Sequence, residues 1–208
     1  MTKSYTALKR AQISTKKFRE ILKCFSLNIE ATKIAQLTGL NRNTVNKYLL
    51  LVRKRIAEEC EMESPISGDI EVDESFFGAR RVKRKRDPGA SGRTIVFGLL
   101  KRNGKVYTKI VPNYSRPTLQ AVTRGKVDFQ STIHSDWWKG YDGLVDLGYK
   151  KHHRVQHENN EFANSKSHIN GIENFWGIAK MRLAKFRGLS KSTFYLHLKE
   201  YEFRFNRT

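Results

Sequence analysis

Apolar residues recur at three- and four-residue spacing through residues 18–57, as they do in amphipathic helices. The pattern predicts a first helix that ends near Phe25, a second over residues 30–40 and a third over residues 41–57. Three short helices with a glycine in the turn before the third are typical of a helix-turn-helix module. We therefore expect a helical DNA-binding domain over residues 1–62.

The turn between the second and third predicted helices has the residue types that such a module needs. Gly39 permits the backbone of a tight turn, Leu40 fills the angle between the helices, and Asn41 can cap the third helix. The first turn of that helix would then enter the major groove. The side chains expected to face DNA are Arg42, Asn43, Thr44 and Lys47. The alternative is a plain three-helix bundle with a solvated polar face, and the module alone would equally suit a transcription regulator.

The hydrophobic pattern changes after residues 63–69, which we interpret as a linker. Three runs rich in β-branched and aromatic residues then predict an antiparallel meander, with a turn at Asn103-Gly104 between the second and third. A helix, a strand that ends on an acid, a helix, a strand and two closing helices follow. This order predicts an α/β fold, in which a ribonuclease H-like mixed-sheet catalytic domain occupies residues 70–208.

The balance of charge narrows the class of partner. Lys and Arg outnumber Asp and Glu 40 to 20, giving a net charge of +20, which favours nucleic acid first and a membrane surface second. A merely basic soluble protein stays open on charge alone. No apolar run approaches a membrane span of about 20 residues and the N-terminus lacks a signal-peptide core, so we expect a cytoplasmic, nucleoid-associated protein. Cys24 and Cys60 are too few and too far apart for a zinc ribbon.

Three separated acidic residues are the candidate catalytic groups. Asp73 lies within an apolar strand pattern, where a carboxylate is costly unless it is paired or binds a metal, and Asp136 ends the later strand. Glu173, with Asn170 three residues before it and Lys180 seven after it, falls on one face of the first closing helix. Asp136 would also serve as a helix cap and Glu173 as a solvated side chain, so each residue alone carries little weight.

A basic run separates the first two predicted strands. Its cations are Arg80, Arg81, Lys83, Arg84, Lys85 and Arg86. Blocks of like charge are usually only solvated, but in a DNA enzyme this one is expected to follow the phosphate backbone. His134 and His168 lie near the predicted acids, and the sequence does not decide whether they move protons or orient ligands.

The motifs IEVDESFFG, IHSDWWKGYDGL and HINGIENFWGIAK, followed by a final YEFRFN, resemble the DDE transposases of bacterial insertion sequences, in the group related to eukaryotic Merlin elements. The resemblance covers nearly all of residues 66–206. It implies Asp73, Asp136 and Glu173 as a triad that binds Mg²⁺, for which Mn²⁺ substitutes, and Lys180 as a DNA contact near the cleavage point. Asn170 is the alternative third ligand. Many relatives begin with a zinc ribbon, which this chain lacks.

The resemblance also implies a reaction and its partners. Metal-dependent cleavage at the ends of the element would free a 3′-hydroxyl, which the same site directs at target DNA. The implied partners are double-stranded DNA, both terminal inverted repeats and target, and a second copy of the chain in a homodimer or higher oligomer; no membrane partner is expected. Two other readings compete: an inactive DNA-binding regulator and a structure-specific nuclease.

Overall fold

The protein is described by a computed structural model that covers residues 13–63, 66–78, 93–136, 148–155, 168–186 and 189–207. The chain forms two compact units, Met1–Arg55 and Ile56–Thr208. The division falls inside a helix, whereas the sequence placed the boundary at residues 63–69. The reason is that the end of this helix, including Cys60 and Glu61, makes its contacts within the second unit.

The first unit is helical, as the apolar spacing predicts. Its helices are α1 (Thr15–Ser26), α2 (Ala31–Thr38) and α3 (Arg42–Met62), the last of which continues into the second unit. Their core contains Ile21, Ile34, Val45, Tyr48 and Leu49. Ser14 begins α1 by accepting a hydrogen bond from the amide of Lys17.

The turn between α2 and α3 has the predicted conformation. Gly39 ends α2 with a φ of 67°, in the left-handed region that glycine adopts at little cost. Leu40 packs against the helical core, and the Asn41 side chain accepts a hydrogen bond of 2.8 Å from the amide of Asn43. The sequence pattern TGLN therefore encodes both the end of one helix and the start of the next.

The second unit is built on a five-stranded mixed sheet. Its strands are β1 (Asp69–Phe77), β2 (Thr94–Lys101), β3 (Val106–Val111), β4 (Thr132–Asp136) and β5 (Lys151–Val155). Their order is β3-β2-β1-β4-β5, with β1, β2 and β3 antiparallel and β1, β4 and β5 parallel. The predicted meander is confirmed, and Asn103, at a φ of 54°, lies in the turn between β2 and β3. β1 occupies the centre of the sheet.

Helices supply the rest of the unit. They are α4 (Arg116–Lys126), α5 (Asn170–Leu183) and α6 (Lys191–Phe205). On one face, Val72, Phe97 and Ile133 form a core with Leu119 of α4. On the other, Val96 and Leu100 pack with α5 and α6. Alternation along each strand explains both cores, because successive side chains point to opposite faces.

A buried ionic cluster joins the end of α3 to β3 and α6. The Lys199 ammonium lies 3.0 Å from Glu202 and 3.1 Å from Glu61, and it donates to the carbonyl of Thr108. The Thr108 amide donates to Glu202 in turn. Lys199 is fully buried, so its charge depends on these partners.

Two predicted elements fall largely or wholly outside the described residues. These are the helix over residues 136–148, of which the structure describes only the two ends, and the basic run that includes Arg80, Arg81, Lys83, Arg84, Lys85 and Arg86. In the described ranges, no helix has both the length and the apolarity needed to cross a membrane.

Candidate active site

Asp73 and Asp136 lie at equivalent positions on neighbouring parallel strands. Glu71 of β1 pairs with His134 of β4, and each aspartate comes two residues after its member of that pair. Because side chains alternate, Asp73 lies on the same sheet face as Glu71, and Asp136 on the same face as His134. The fold therefore brings the two predicted aspartates to one face and one level of the sheet, although the sequence separates them widely.

The surroundings of Asp73 disfavour its negative charge. Burial, together with the charges of Glu74, Asp136 and Glu173, raises the pKa of this carboxyl to about 7. Like charges near a half-buried acid disfavour its ionised form, and a bound cation would offset their repulsion. Asp136 and Glu173, the other two predicted triad members, are thus among the charges that act on Asp73.

A glycine in β2 allows α5 to lie close to this centre. Gly98 is the strand partner of Asp73, and a Cβ atom there would come within 2.5 Å of the Trp176 ring and 3.0 Å of Ile172. Trp176 is buried beneath the helix, packed edge-on against Phe77. Trp176 therefore lies in the interface between helix and sheet, whereas Glu173, three residues before it, is exposed.

Glu173, Asn170 and Lys180 are all exposed along α5, as their spacing predicted. Within the part of the chain that the structure describes, no three side chains of His, Cys, Asp or Glu lie close enough together to hold a metal ion. The structure thus places the two aspartates side by side and Glu173 within electrostatic reach of Asp73, without a complete three-ligand cluster.

The sequence analysis missed Glu71, a buried acid two residues before Asp73. Its carboxylate accepts hydrogen bonds from Arg102 Nε at 3.0 Å and from the amide of Ile172 at 2.9 Å. His168 Nδ1 lies 3.4 Å away. The alternation of β1 was a usable signal, because it places Glu71 on the same face as Asp73.

His134, whose role the sequence left undecided, is hydrogen-bonded to Asp69 at the start of β1. Its Nε2 lies 3.0 Å from Asp69, and its ring stacks on that of His153. Burial lowers the pKa of His134, while the hydrogen bond with Asp69 opposes that shift. This histidine is thus tied to the start of β1, and the neutral form that burial favours donates to the Asp69 carboxylate.

The residues predicted to face DNA have the expected exposure where they are described. Arg42, Asn43 and Lys47 are exposed and Thr44 is half-buried in the first turns of α3. The six cations of the basic run lie outside the described residues.

The five-stranded mixed sheet with helices on both faces confirms the expected α/β fold. The family model of the ISXO2-like transposase domain matches residues 65–206, so this chain belongs to that family. A Haemophilus influenzae protein described as an uncharacterized transposase-like protein is 44% identical over 102 residues, which are 49% of this chain and 81% of the relative. The expected transposase resemblance is confirmed.

Solved structures give weaker similarities. A chain of the simian T-cell lymphotropic virus intasome in complex with PP2A regulatory subunit B56 gamma is 10% identical, with a TM-score of 0.38, over 86% of this chain and 64% of that one. The Mos1 transposase paired-end complex with left transposon end is 12% identical, with a TM-score of 0.30, over 94% and 79%. Similarities at this level decide neither fold nor function.

Proposed function

We propose that this chain is an insertion-sequence transposase that cleaves DNA at the ends of its element and joins the freed 3′ ends to target DNA. The observation that carries the proposal is the equivalent placement of Asp73 and Asp136 on adjacent strands, with Glu173 acting on the same acid. Family membership supports the transposase role independently of that geometry.

The donor chemistry of the site fits a divalent cation such as Mg²⁺. Hard cations take oxygen ligands, and the candidate side chains are carboxylates. Burial, with the repulsion of neighbouring acids, holds the pKa of Asp73 high, and a bound cation would favour its ionised form. Asp73 and Asp136 would hold the metal, and Glu173 would complete the set, with the Asn170 amide as the alternative. Mn²⁺ would substitute because it accepts the same ligands.

When bound, Mg²⁺ would activate a hydroxyl nucleophile and stabilise charge on the phosphate. The protein's contribution is positional. The central strand fixes Asp73, the end of β4 fixes Asp136, and α5 presents Glu173 and Lys180 from the same helix. Lys180 is exposed about two turns beyond Glu173, where its ammonium would contact a phosphate near the cleaved bond.

DNA recognition is assigned to α2 and α3 as a helix-turn-helix, with Arg42, Asn43, Thr44 and Lys47 facing the major groove. Their exposure and the Gly39 turn support this assignment. The basic run Arg80–Arg86 would follow the backbone, and a dimer would hold the two terminal repeats together. The net charge of +20 favours binding throughout.

The test is cleavage and strand transfer on DNA fragments that carry the ends of the element from which the gene comes, with Mg²⁺ or Mn²⁺. Asp73→Asn, Asp136→Asn and Glu173→Gln should each lose 3′-end cutting by at least about 100-fold while retaining DNA binding. Asn170→Ala reports whether the amide contributes. The matched control is Glu63→Gln, which removes one negative charge from a carboxylate that pairs with Lys105 and Arg207.

Each outcome separates the proposal from a rival. A wild-type protein that binds the ends but never cuts them is a DNA-binding regulator. Metal-dependent cutting of branched DNA without strand transfer identifies a structure-specific nuclease. Cutting that survives Asp73→Asn and Asp136→Asn would remove the two aspartates from the site.

A further inference from the structure

Glu71 connects the central strand to the first turn of α5. Its side chain is only 1% exposed, yet each carboxylate oxygen has a donor: Arg102 Nε at Oε1 and the Ile172 amide at Oε2. Ile172 is the third residue of α5, where helix amides lack partners within the helix. The strand therefore supplies the acceptor that the helix needs.

Arg102 extends this connection to the segment that enters α5. Its guanidinium donates to the carbonyl of His168 as well as to Glu71, and its amide donates to the carbonyl of Asp69 at 2.9 Å. The His168 ring nitrogen lies 3.4 Å from Glu71. One arginine thus holds together the end of β2, the start of β1 and the entry to α5.

The first turn of α5 is built to receive the Glu71 carboxylate. Ile169 precedes the helix and provides no side-chain cap. At Gly171, a Cβ atom would come within 2.8 Å of Glu71 Oε2 and 2.7 Å of Leu100. The absence of a side chain at this position allows the acid to approach, and a negative charge at a helix N-terminus is favourable.

We propose that Glu71, held by Arg102, is a positioning residue that sets where α5 presents Glu173 relative to Asp73 and Asp136. The inference rests on the proposed function, since it assigns Glu71 no chemistry of its own. Glu173 directly follows Ile172, whose amide Glu71 holds, so a shift of this turn moves the third acid. Glu71 and Asp73 belong to the same strand, so a hydrogen bond to Glu71 fixes the start of α5, and with it Glu173, relative to Asp73.

The test uses Glu71→Gln in the full chain. Both glutamate oxygens accept hydrogen bonds, whereas glutamine offers one oxygen and an NH₂ group that would face a donor. The matched control is Glu202→Gln, because Glu202 is also 1% exposed and uses its carboxylate to accept from Lys199 and Thr108, on α6 and β3. Both substitutions are expected to destabilise the fold, so Glu202→Gln shows what a loss of stability alone does to each measurement.

Three measurements distinguish positioning from stability. For Glu71→Gln we expect cleavage to fall about 10–100-fold at fixed Mg²⁺ and the Mg²⁺ concentration for half-maximal cleavage to rise about 10-fold, with partial recovery at saturating Mg²⁺. The Mg²⁺-induced rise in Tm should shrink, and hydrogen exchange of the Ile172 amide should accelerate. Glu202→Gln should change none of these beyond its effect on overall stability.

The outcomes separate the inference from the proposed function. If the wild type cuts DNA and Glu71→Gln matches Glu202→Gln in Mg²⁺ dependence and exchange, the positioning role is wrong and the transposase proposal stands. If the wild type neither cuts DNA nor gains stability from Mg²⁺, both fall. Should Glu71→Gln fail to fold, Gly171→Ala replaces it, because the added methyl group displaces the same turn and should raise the Mg²⁺ requirement in the same way.

Discussion

Asp73 illustrates at the scale of a single residue how a site can oppose the stability of its own fold. The carboxyl is half-buried on the central strand, and burial together with three neighbouring acids raises its pKa to about 7. An unfolded chain would give it a value near 3.8. The folded protein therefore holds this proton more tightly than the unfolded chain does, and it loses stability as pH rises from 3.8 through 7.

We expect Asp73→Asn to stabilise the metal-free protein above pH 7. The amide removes the ionised carboxyl that the fold disfavours, so the gain should be roughly 1–3 kcal/mol at pH 8, allowing for solvent screening, and should vanish near pH 4. Urea unfolding at both pH values measures it. Saturating Mg²⁺ should then stabilise the wild type and not the variant, because only the wild type keeps the ligand.

Asp136→Asn provides the comparison, since it removes a neighbouring charge but leaves the Asp73 carboxyl in place. Asp136→Asn should raise the free energy of unfolding at pH 8 by less than Asp73→Asn does. The stability of the Asp136→Asn protein should still fall in part as pH rises, because Asp73 still ionises. An Asp73→Asn protein that is less stable than the wild type at pH 8 without metal would mean that the ionised carboxyl has a stabilising partner in the fold.

The two aspartates could be proposed from the sequence because each lies in a predicted strand and within a motif that resembles the family's. Asp73 lies among β-branched and aromatic residues in a strand pattern, and Asp136 ends a short predicted strand. Glu71 lies in the same run but was not predicted, because its role depends on Arg102 and on the amide of Ile172, which only the folded chain brings near. The sequence reveals a residue whose neighbours along the chain make it unusual. It does not reveal a residue whose role is to hold another element in place.

At the scale of elements, the close packing of α5 against β2 depends on the absence of a side chain at Gly98. Trp176 and Ile172 occupy the space that a side chain at Gly98 would need. The sequence predicted both elements from their periodicity, and both are confirmed. It did not predict their close approach, since periodicity identifies an apolar face without showing which residue lies opposite it.

Gly98→Ala should therefore weaken the helix–sheet interface. Its methyl group would lie 2.5 Å from a rigid indole ring, so we expect a loss of roughly 1–3 kcal/mol in unfolding free energy and reduced DNA cleavage as α5 shifts. Gly177→Ala is the control, because an added Cβ there meets nothing within 4 Å and alanine favours a helix by up to about 1 kcal/mol. Equal effects of the two substitutions on the unfolding free energy would show that the approach at Gly98 is not tight.

At the scale of the whole molecule, the net positive charge is the property that bears most directly on DNA binding. A net charge of +20 on 208 residues favours contact with DNA at many points. Such contacts allow a protein to move along DNA, but they do not fix its position on one DNA sequence. A fixed position on DNA requires cations that contact particular phosphates. Arg42 and Lys47, exposed in the first turns of α3 behind the Gly39 turn, are the described candidates.

We expect Lys47→Ala to weaken DNA binding and to reduce the slope of log affinity against log salt concentration by about 1, as for one lost phosphate contact. Lys16→Ala removes the same charge from an exposed position on α1 and should leave the slope nearly unchanged. Fluorescence anisotropy across a salt series, with one DNA duplex and both variants, makes the measurement. If both substitutions lower the slope equally, binding depends on diffuse charge and α3 has no fixed phosphate contact at Lys47. If only Lys47→Ala lowers the slope, Lys47 makes a defined phosphate contact, as expected for a cation at a fixed position in the first turns of α3.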